Sequence, residues 1–523
     1  MNTPRRVKIY CRAEKWSVTI ATCPMSDITT MMQTMSAVSA RIPPVLSIDR
    51  KSARPLSGQI YDGLRAAILR GDLRPGQQVP SSRELARELL ISRFPVLDAY
   101  AQLLAEGYFE SRVGSGTFVS VSLPERRMRA KHPDRRLAGS RPLARRSALL
   151  PRFEHVPWRV GWGAFGVHQP ALDQFPFELW SRLVARHSGR PRLHAIHHID
   201  PLGLGHFRDA ICQYLRTARA VQCEPHQIMV VSGSQQALEI TARVLLDPGD
   251  PVWVEEPSYL LTRAVLMGAG CRLIPVPVDD EGMDVGAGIR RLRKARAAFV
   301  TPSHQYPLGS TMTAPRRLQL LNWAQDSGAW IVEDDYDSEY RYESMPVSSL
   351  QGLDANSRVI YIGTFSKVLF ASLRLGYIVI PPDLVERFTS VRFAMDIFPS
   401  YLFQEVLTDF MGDGHFARHI RRMRVLYNER RTALVDMLRE VYGERLEVHG
   451  AEAGMHITVT LPEGFRDKEI AINAAKDKLW LWPLSPSYMS ETPRQGLILG
   501  FGSTPAEQIP QAVHQLQRVL KLS

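Results

Sequence analysis

The stretch "YIGTFSKVLFASLRLGYIVIPP" (residues 361–382) decides how this chain is interpreted, because it places one lysine among residues typical of a protein interior. Thr364 and Ser366 stand just before Lys367, and Arg374 follows it. An ammonium group is costly to bury, so a lysine in such a setting has a lowered pKa and can form a Schiff base with an aldehyde. A lone lysine is more often a surface residue whose stem packs on the core, so other residues must decide between the two.

Length and composition indicate a soluble protein with at least two domains. A chain of 523 residues exceeds one hydrophobic core, and its 45% hydrophobic and 23% charged residues are ordinary for globular proteins. We see no apolar run that could cross a membrane and no signal-peptide pattern near the start. The five cysteines are scattered without metal-binding spacing. We therefore expect a reduced, cytoplasmic protein without a metal site.

The net charge of +12 is concentrated in the first third of the chain. Residues 1–150 hold 25 Lys and Arg against 12 Asp and Glu, which leaves 40 against 41 for the other 373 residues. A solvated basic tail would explain the excess if no motif accompanied it. With a motif, the excess predicts a polyanionic partner, and nucleic acid is the obvious one.

Composition divides the chain into four segments. Residues 1–48 show no periodicity and are expected to be disordered or to reflect a wrongly assigned translation start. Residues 49–120 are compact and patterned, and residues 121–155 are expected to form a basic linker. Residues 156–523 are expected to form one large domain.

Strand-like apolar runs alternate with helical patterns in the large domain. The runs are "QIMVVSG", "PVWVEEP", "AAFVTPS", "WIVEDDY" and "VIYIGTF". This alternation is typical of βα units on a mostly parallel sheet, so we predict an α/β fold.

The segment 49–120 begins with a predicted helix that ends at Gly71. Its apolar residues recur at helical spacing: Leu56, Ile60, Leu64, Ala67 and Ile68. Ser81 and Glu84 then form a capping box, which starts a short second helix that runs to about Leu90.

A third helix and a hairpin complete the pattern of a winged helix-turn-helix. Ser92 caps the helix, and its predicted apolar face consists of Val96, Leu97, Tyr100, Leu103 and Leu104. Two short strands meet at Gly114-Ser115-Gly116. In this arrangement the third helix enters the major groove of DNA and the hairpin lies beside the backbone.

Hydroxyls at two helix starts and nearby arginines are the candidate DNA contacts. They are Ser81, Ser82, Arg83, Ser92, Arg93 and Arg112. For Ser81 a capping role and a phosphate contact are equally good alternatives, since one hydroxyl can rarely do both well.

The module from "PLSGQIYDGLRAAILRGDLRPGQQVPSSRELARELLISR" to "GSGTFVS" resembles the DNA-binding domain of the GntR family over its whole length. The resemblance implies double-stranded promoter DNA as a partner. Phe94-Pro95 departs from the two small polar residues that relatives more often carry at the start of the recognition helix.

Pyridoxal phosphate is the aldehyde that the large domain is equipped to hold, because it needs an acid, a phosphate cradle and a ring-covering group besides a lysine. Asp334 can pair with the pyridinium nitrogen, and Tyr336 can bond the phenolate oxygen. Ser234 and Gln235 start a helix after "VVSG" and are predicted phosphate contacts. Tyr259, after "VEEPS", is predicted to cover the ring.

Thr364, Ser366 and Arg374 are predicted to complete the phosphate cradle around Lys367, with Arg374 as charge partner. Each of these features is weak alone, and their order along the chain makes them specific. That order resembles the fold-type I aminotransferases from about residue 160 to the end.

The combination of both domains resembles the MocR subfamily of bacterial regulators, whose motifs are close to "TPSHQYPLG", "EDDYDSEYRY" and "GTFSK" here. The resemblance implies pyridoxal 5'-phosphate bound as an aldimine on Lys367. It also implies a head-to-tail homodimer, in which the DNA-binding domain of one chain lies against the large domain of the other.

Three departures from the aminotransferase pattern bear on activity. Tyr306 stands where aminotransferases usually have an asparagine that tunes the phenolate. The strand 496–502 lacks the arginine that usually grips a substrate carboxylate. His198 replaces a tyrosine that contacts the phosphate across the dimer in many relatives.

These departures favour a sensor over an enzyme, because a missing carboxylate clamp costs orientation. The expected effector is a small amine, an amino acid or pyridoxal phosphate itself. One alternative is an active aminotransferase with a fused DNA-binding domain. Another is a DNA-binding regulator whose large domain has lost the cofactor and only dimerises.

Overall fold

The computed structural model describes residue 46 and residues 48–122, 143–150, 155–189, 200–342 and 348–521. The chain forms two compact units, residues 1–141 and 142–523, and each is described by itself. Nearly all of the predicted N-terminal extension, and much of the predicted linker, lie outside the described residues.

In its described residues, the first unit has three helices followed by a two-stranded hairpin. Its elements are α1 (Leu56–Arg70), α2 (Ser82–Glu88), α3 (Arg93–Ala105), β1 (Phe109–Arg112) and β2 (Gly116–Val119). The predicted winged helix-turn-helix arrangement of elements is therefore present in this unit.

Helix α1 forms because its apolar residues line one face, which is buried against α3. Ile60 and Leu64 share the core with Val96 and Leu103, and all four are fully buried. Gly71 ends α1 in the left-handed conformation at φ 87°, which glycine adopts without strain.

The predicted apolar face of α3 is partly wrong. Leu97 is 42% exposed and Leu104 is 37% exposed, whereas Ala99 is buried. The buried positions follow the 3.6-residue period from Val96, and the two leucines come one step later on the solvent side. Helix α2 also ends at Glu88, two residues before the predicted position.

The hairpin is held against the unit by backbone and side-chain contacts. Strands β1 and β2 pair antiparallel, with Phe109 opposite Val119 and Arg112 opposite Gly116. Gln78 donates a hydrogen bond from Nε2 to the carbonyl of Ser115 at 2.8 Å. The tip of the hairpin is thereby tied to the segment that precedes α2.

The second unit contains many helices and two β-sheets in its described residues. Its helices are α4 (Pro157–Val160), α5 (Phe177–Gly189), α6 (Gly205–Arg219), α7 (Ser234–Leu245), α8 (Leu260–Gly268), α9 (Val285–Leu292), α10 (Ala314–Ser327), α11 (Leu350–Leu353), α12 (Val385–Asp396), α13 (Leu402–Gly412), α14 (His415–Tyr442), α15 (Asp467–Lys476) and α16 (Ile509–Leu520). Its strands are β3 (Ile228–Val231), β4 (Pro251–Glu256), β5 (Arg272–Asp279), β6 (Gly282–Met283), β7 (Ala297–Val300), β8 (Trp330–Asp335), β9 (Val359–Thr364), β10 (Gly376–Val379), β11 (Glu447–His449), β12 (His456–Thr460), β13 (Trp482–Pro483) and β14 (Gly496–Gly500).

Eight strands form one large sheet in the order β3-β10-β9-β8-β7-β4-β5-β6. The pairs from β9 through β8, β7 and β4 to β5 are all parallel, and β10 and β6 run antiparallel to their neighbours. The prediction of an α/β fold with a mostly parallel sheet is confirmed. The five quoted apolar runs correspond to β3, β4, β7, β8 and β9, whose interiors are apolar because helices cover both faces, whereas β4 and β8 end in acids.

Successive residues of these strands enter cores on opposite faces of the sheet. One face packs on α7 and α12, and the other packs on α6, α13 and α10. A separate antiparallel sheet in the order β11-β12-β14-β13 packs on α14 and α16. None of the helices in the described ranges has the length and apolar run needed to cross a bilayer.

The capping box of α2 gives a prediction about local stability. Ser81 Oγ accepts from the amide of Glu84, and Glu84 Oε2 accepts from the amide of Ser81. Losing such a cap costs about 1 kcal/mol, so Ser81→Ala should speed amide exchange in α2 roughly five-fold. Hydrogen exchange of the full chain, read by mass spectrometry over residues 80–92, measures this change.

Ser92→Ala is the matched control, because Ser92 occupies the cap position of α3 without a side-chain cap hydrogen bond. Its effect on exchange should be smaller. Equal effects of the two substitutions would show that the Ser81 cap does not stabilise α2.

Candidate cofactor site and DNA-binding surface

Six strands of the large sheet end at one edge, and the predicted cofactor residues lie there. Strands β3, β4, β5, β7, β8 and β9 point the same way, so their carboxyl ends meet. Ligands of open α/β sheets bind outside this edge. Ser234 follows β3, Tyr259 follows β4, Asp334 lies near the end of β8, and Lys367 follows β9. The fold therefore brings together residues that are far apart in sequence.

Strand β8 ends in three consecutive acids whose carboxylates differ in their partners. Because side chains alternate along a strand, Glu333 and Asp335 share one face and Asp334 points to the other. Glu333 accepts from two backbone amides of α11 at 2.9 Å each. Asp335 is paired with Arg219 at 2.8 Å. Within the described chain, Oδ1 of Asp334 is buried and has no hydrogen-bond partner.

The surroundings of Asp334 raise its pKa to about 7. Burial is the main cause, the nearby Asp335 charge adds to it, and the charge of Lys367 opposes it. A protonated pyridine nitrogen beside Asp334 would supply the missing partner and favour the ionised carboxylate.

Burial lowers the pKa of Lys367 to about 8, although Asp337 and Asp334 favour its charged form. A substantial fraction of this amine is then neutral near physiological pH, as a nucleophile requires. Lys367 and Asp334 keep part of their surface accessible although protein surrounds both. That combination is expected of groups that line an enclosed site.

A cradle with the features of a phosphate site lies between the start of α7 and Arg374. A Cβ atom on Gly233 would lie only 3.2 Å from Nη1 of Arg374, so the guanidinium sits directly against this glycine. Gly233 caps the 12-residue α7 without a side-chain bond, which leaves the first amides available. Thr364 Oγ1 accepts from the amide of Ser366 at 3.2 Å, so these two hydroxyls lie side by side.

Gln235, a predicted phosphate contact, has its side chain hydrogen-bonded elsewhere. Its Nε2 donates to the carbonyl of Leu261 at 3.2 Å, which directs the side chain along α8. Its backbone amide, in the first turn of α7, remains available to a phosphate. Ser234 is partly buried at the first position of the same helix.

Tyr259 lies in an aromatic group that also contains His168, which sequence reasoning missed. The Tyr259 ring is 5.3 Å from the Tyr306 ring, and His168 is 5.2 Å from Tyr306 and 5.5 Å from Trp482. His168 has φ 67°, and its buried Nε2 has no partner among the described residues. Burial and the Lys367 charge hold the pKa of His168 well below its usual value, so the ring is neutral.

A second group missed from the sequence consists of His304, Asp337 and His456. Their potential ligand atoms lie within 4.8 Å of one another, which a metal ion would also require. However, His304 Nδ1 is already bonded to Asp337, and His456 Nε2 to the carbonyl of Pro307. "TPSHQYPLG" and "EDDYDSEYRY" contain two of these residues, and those motifs were the available signal.

Strand β14 faces the site with an apolar residue. Ile498 is fully buried and packs with Tyr306 and Tyr336. A Cβ on Gly500, the next residue on that face, would overlap the backbone carbonyl of Gly166. The strand therefore offers no room for an arginine that could grip a carboxylate. His198, a further predicted departure, lies outside the described residues.

The residues at this edge fit pyridoxal phosphate. The unpartnered Oδ1 of Asp334 matches the pyridinium nitrogen, and the cradle of Gly233 and Arg374 matches the phosphate. Lys367, which follows β9 at the same edge, supplies an amine with a lowered pKa. A different cavity of about 540 Å³ is lined by Gln351 and other residues at the opposite, amino-terminal edge of the strands, away from this chemistry.

The predicted DNA contacts lie on the exposed surface of the first unit. The Ser81 hydroxyl is engaged in the capping bond with Glu84, whereas the Ser92 hydroxyl makes no capping hydrogen bond. Arg93 donates from Nε to Ser82 Oγ at 3.0 Å. Arg83 is exposed.

Two more features mark this surface. The guanidinium carbon of Arg112 lies 4.6 Å from the centre of the Phe118 ring on the hairpin. Phe94, at the start of α3, is 77% exposed.

Two family models match the chain. The model for aminotransferase class I and II matches residues 194–497, and the model for bacterial regulatory proteins of the gntR family matches residues 56–119. These matches confirm the predicted combination of a GntR-type domain with an aminotransferase-like domain.

Relatives of similar length share both domains. The chain is 40% identical over 478 residues to the probable rhizopine catabolism regulatory protein MocR of Rhizobium meliloti, covering 90% of this chain and 95% of that protein. It is 31% identical over 446 residues to the HTH-type pyridoxine biosynthesis transcriptional regulator PdxR of Corynebacterium glutamicum, covering 85% and 91%. The kynurenine aminotransferase of Pyrococcus horikoshii, solved with PMP, superposes with a TM-score of 0.66 at 28% identity over 72% of this chain and 96% of that one.

The lowered pKa of Lys367 predicts the pH dependence of its reactivity. In cofactor-free protein, acylation of Lys367 should reach half its maximal rate near pH 8, because the neutral amine is the nucleophile. Asp334→Asn should shift this midpoint to lower pH, since a negative charge that favours the ammonium is removed. Competitive labelling with peptide mass mapping measures both, with exposed Lys468 as internal reference.

Asp326→Asn is the matched control, because Asp326 is an exposed acid on α10. It should leave the midpoint unchanged. A wild-type midpoint near the ordinary lysine value of 10.5 would contradict the inferred environment of Lys367.

Proposed function

The chain belongs to the MocR-type HTH transcription regulators, and we propose that it binds pyridoxal 5'-phosphate at Lys367 and promoter DNA through residues 49–120. The observation that carries the cofactor proposal is the buried Oδ1 of Asp334, which lacks a partner at the strand edge that also holds Lys367. The cradle formed by Gly233 and Arg374 at the same edge supports it.

Each residue has a role that follows from its surroundings. Pyridoxal phosphate, when bound, would supply an aldehyde able to condense with an amine, with loss of one water. Lys367 is the resident amine, and its neutral fraction permits attachment. Asp334 would accept a hydrogen bond from a protonated pyridine nitrogen, and Tyr259 would cover the ring. Tyr336 would donate to the phenolate oxygen.

The phosphate is held by groups on two loops. The amides at the start of α7, at Ser234 and Gln235, would donate to it, and Arg374 would supply the opposite charge. Thr364 at the end of β9 and Ser366 just after it would add hydroxyls.

We propose that the effector is a small amine, an amino acid or pyridoxal phosphate itself, and that the large domain senses rather than turns over its ligand. Ile498 and the closed space at Gly500 support this, because a substrate carboxylate finds no arginine on β14. The alternative is an active aminotransferase. Rapid amino transfer to a keto acid by the purified chain would favour that alternative.

DNA binding follows from the exposed face of the first unit. Ser82, Ser92, Arg83 and Arg93 surround the starts of α2 and α3, where backbone amides and positive charge meet phosphates. The basic excess of residues 1–150 adds attraction that does not depend on DNA sequence.

We propose that the protein acts in the cytoplasm as a head-to-tail homodimer, as the family resemblance implies. An effector would then shift the balance between arrangements of the DNA-binding domains by binding one arrangement more tightly. The domain bounds of 49–120 and 156–523 belong to this proposal.

Attachment at Lys367 is tested by borohydride reduction. The full-length protein with added pyridoxal phosphate should show a visible absorption band, and reduction should fix one label on Lys367, found by mass mapping. Lys367→Ala should lose the band and the label, while promoter binding by the cofactor-free protein stays within about two-fold, because the two sites lie in different units.

A label that persists in Lys367→Ala would exclude Lys367 as the attachment point. Absence of any band in the wild type would remove the cofactor proposal and favour a large domain that only dimerises. Loss of DNA binding in well-folded Lys367→Ala would contradict the separation of roles.

A phosphate contact by Arg83 is tested by the salt dependence of DNA binding. Arg83→Ala should weaken binding and reduce the slope of log K against log salt by about one unit, since one counterion fewer is released. Arg439→Ala, an equally exposed arginine of the second unit, is the control and should leave the slope unchanged. An unchanged slope in Arg83→Ala would remove Arg83 from this role.

A further inference from the structure

His304 and Asp337 form a buried pair beside Tyr336. Both oxygens of Asp337 lie 3.1 Å from Nδ1 of His304. The hydroxyl oxygen of Tyr336 lies 3.1 Å from the same nitrogen. The exposed fractions of His304 and Asp337 are only 1% and 2%. Three polar groups therefore share one ring nitrogen away from water.

The chemistry of these groups decides where the protons lie. An ionised carboxylate only accepts hydrogen bonds, so Nδ1 of His304 carries the proton that faces Asp337. A nitrogen that donates cannot also accept, so Tyr336 Oη accepts from this N–H rather than donating to it. The hydroxyl proton of Tyr336 is then free to be donated elsewhere.

The neighbours of Tyr336 leave few places for that proton. Its ring packs with Val167, Leu484 and Ile498, which have no side-chain acceptor, and with Tyr306. Burial and the Asp337 charge hold the pKa of Tyr336 well above its usual value, so the phenol remains a donor. A ligand acceptor at the strand edge would complete its hydrogen bonding.

The fold makes specific room for this pair. Gly454 has φ 74°, and a Cβ there would overlap the His304 ring and come within 2.7 Å of Asp337 Oδ2. A Cβ on Gly309 would come within 3.0 Å of His304 Nε2. Two glycines from different segments thus enclose one imidazole.

We propose that His304 and Asp337 are positioning residues that hold the Tyr336 hydroxyl as a hydrogen-bond donor into the cofactor site, an inference that rests on the proposed binding of pyridoxal phosphate. Tyr306 occupies the position at which aminotransferases usually place an asparagine beside the phenolate. The phenolate oxygen would therefore depend more strongly on Tyr336 in this chain.

The direction of the effect follows from electrostatics. A donor to the phenolate oxygen withdraws negative charge and lowers the proton affinity of the bound chromophore, so losing the donor raises the pH at which its absorbance changes. Other titratable groups face this pair and stay constant in the comparison: Glu255, Asp334, Lys367, Tyr306, His168 and His456.

The test is a pH titration of the visible absorbance of full-length protein loaded with pyridoxal phosphate. His304→Leu removes the donor and should raise the spectral midpoint by about one pH unit. His304→Asn keeps a donor near the Nδ1 position and should restore most of the wild-type midpoint. His449→Leu, on β11, is the matched control and should titrate like the wild type.

A double substitution separates action through Tyr336 from a direct effect of the imidazole. Tyr336→Phe should raise the midpoint, and adding His304→Leu to it should cause no further change. An additional shift of similar size in the Tyr336→Phe background would overturn the proposal, as would an unchanged midpoint in His304→Leu. If His304→Leu does not fold, His304→Gln replaces it, because its amide reaches the Nε2 position instead.

The outcomes also separate this inference from the function on which it rests. A wild type that shows no visible band with pyridoxal phosphate contradicts both. A wild type that binds the cofactor on Lys367 while His304 and Tyr336 variants titrate normally contradicts only the positioning role.

Discussion

A carboxylate enclosed by protein, with one oxygen that lacks any partner in the described chain, is the constraint on which the large domain depends. Strand β8 carries Glu333, Asp334 and Asp335 into the middle of the sheet, where each charge must be met. Two backbone amides meet the first and Arg219 meets the third. Asp334, on the other face, is left for a ligand. A cationic ring bound beside Asp334 would therefore also supply the partner that this buried carboxylate lacks.

The remaining parts of the site are placed by rigid elements and by glycines. The ends of six codirectional strands determine where the lysine, the acid and the phosphate cradle lie. Gly233 lets Arg374 approach the start of α7, and Gly454 lets His304 lie against Asp337. A Cβ at Gly454 would overlap the His304 ring, and a Cβ at Gly233 would press on the Arg374 guanidinium at 3.2 Å. This explains how a site can be assembled from segments more than two hundred residues apart.

Regulation needs a site that responds to a ligand without consuming it. Strand β14 contributes Ile498 where a carboxylate clamp would be needed, and the backbone near Gly166 closes the neighbouring position. An arginine on this strand would orient a substrate carboxylate for turnover, and β14 carries none. Under the proposed sensing role, a ligand controls DNA binding to the extent that its affinity differs between two arrangements of the chain.

Much of this protein could be predicted from its sequence, because the signals are local. Hydrophobic periodicity, the Ser81 capping box and the alternation of apolar runs with helices depend on neighbouring residues, and they indicated both the hairpin-bearing helical unit and the parallel sheet. The exposure of Leu97 was predicted wrongly, since the side of a helix that meets α1 depends on packing. Which of three adjacent acids lacks a partner could not be predicted either. His304, Asp337 and His168 belong to separate segments, and only tertiary structure brings their side chains together and sets which proton each one holds.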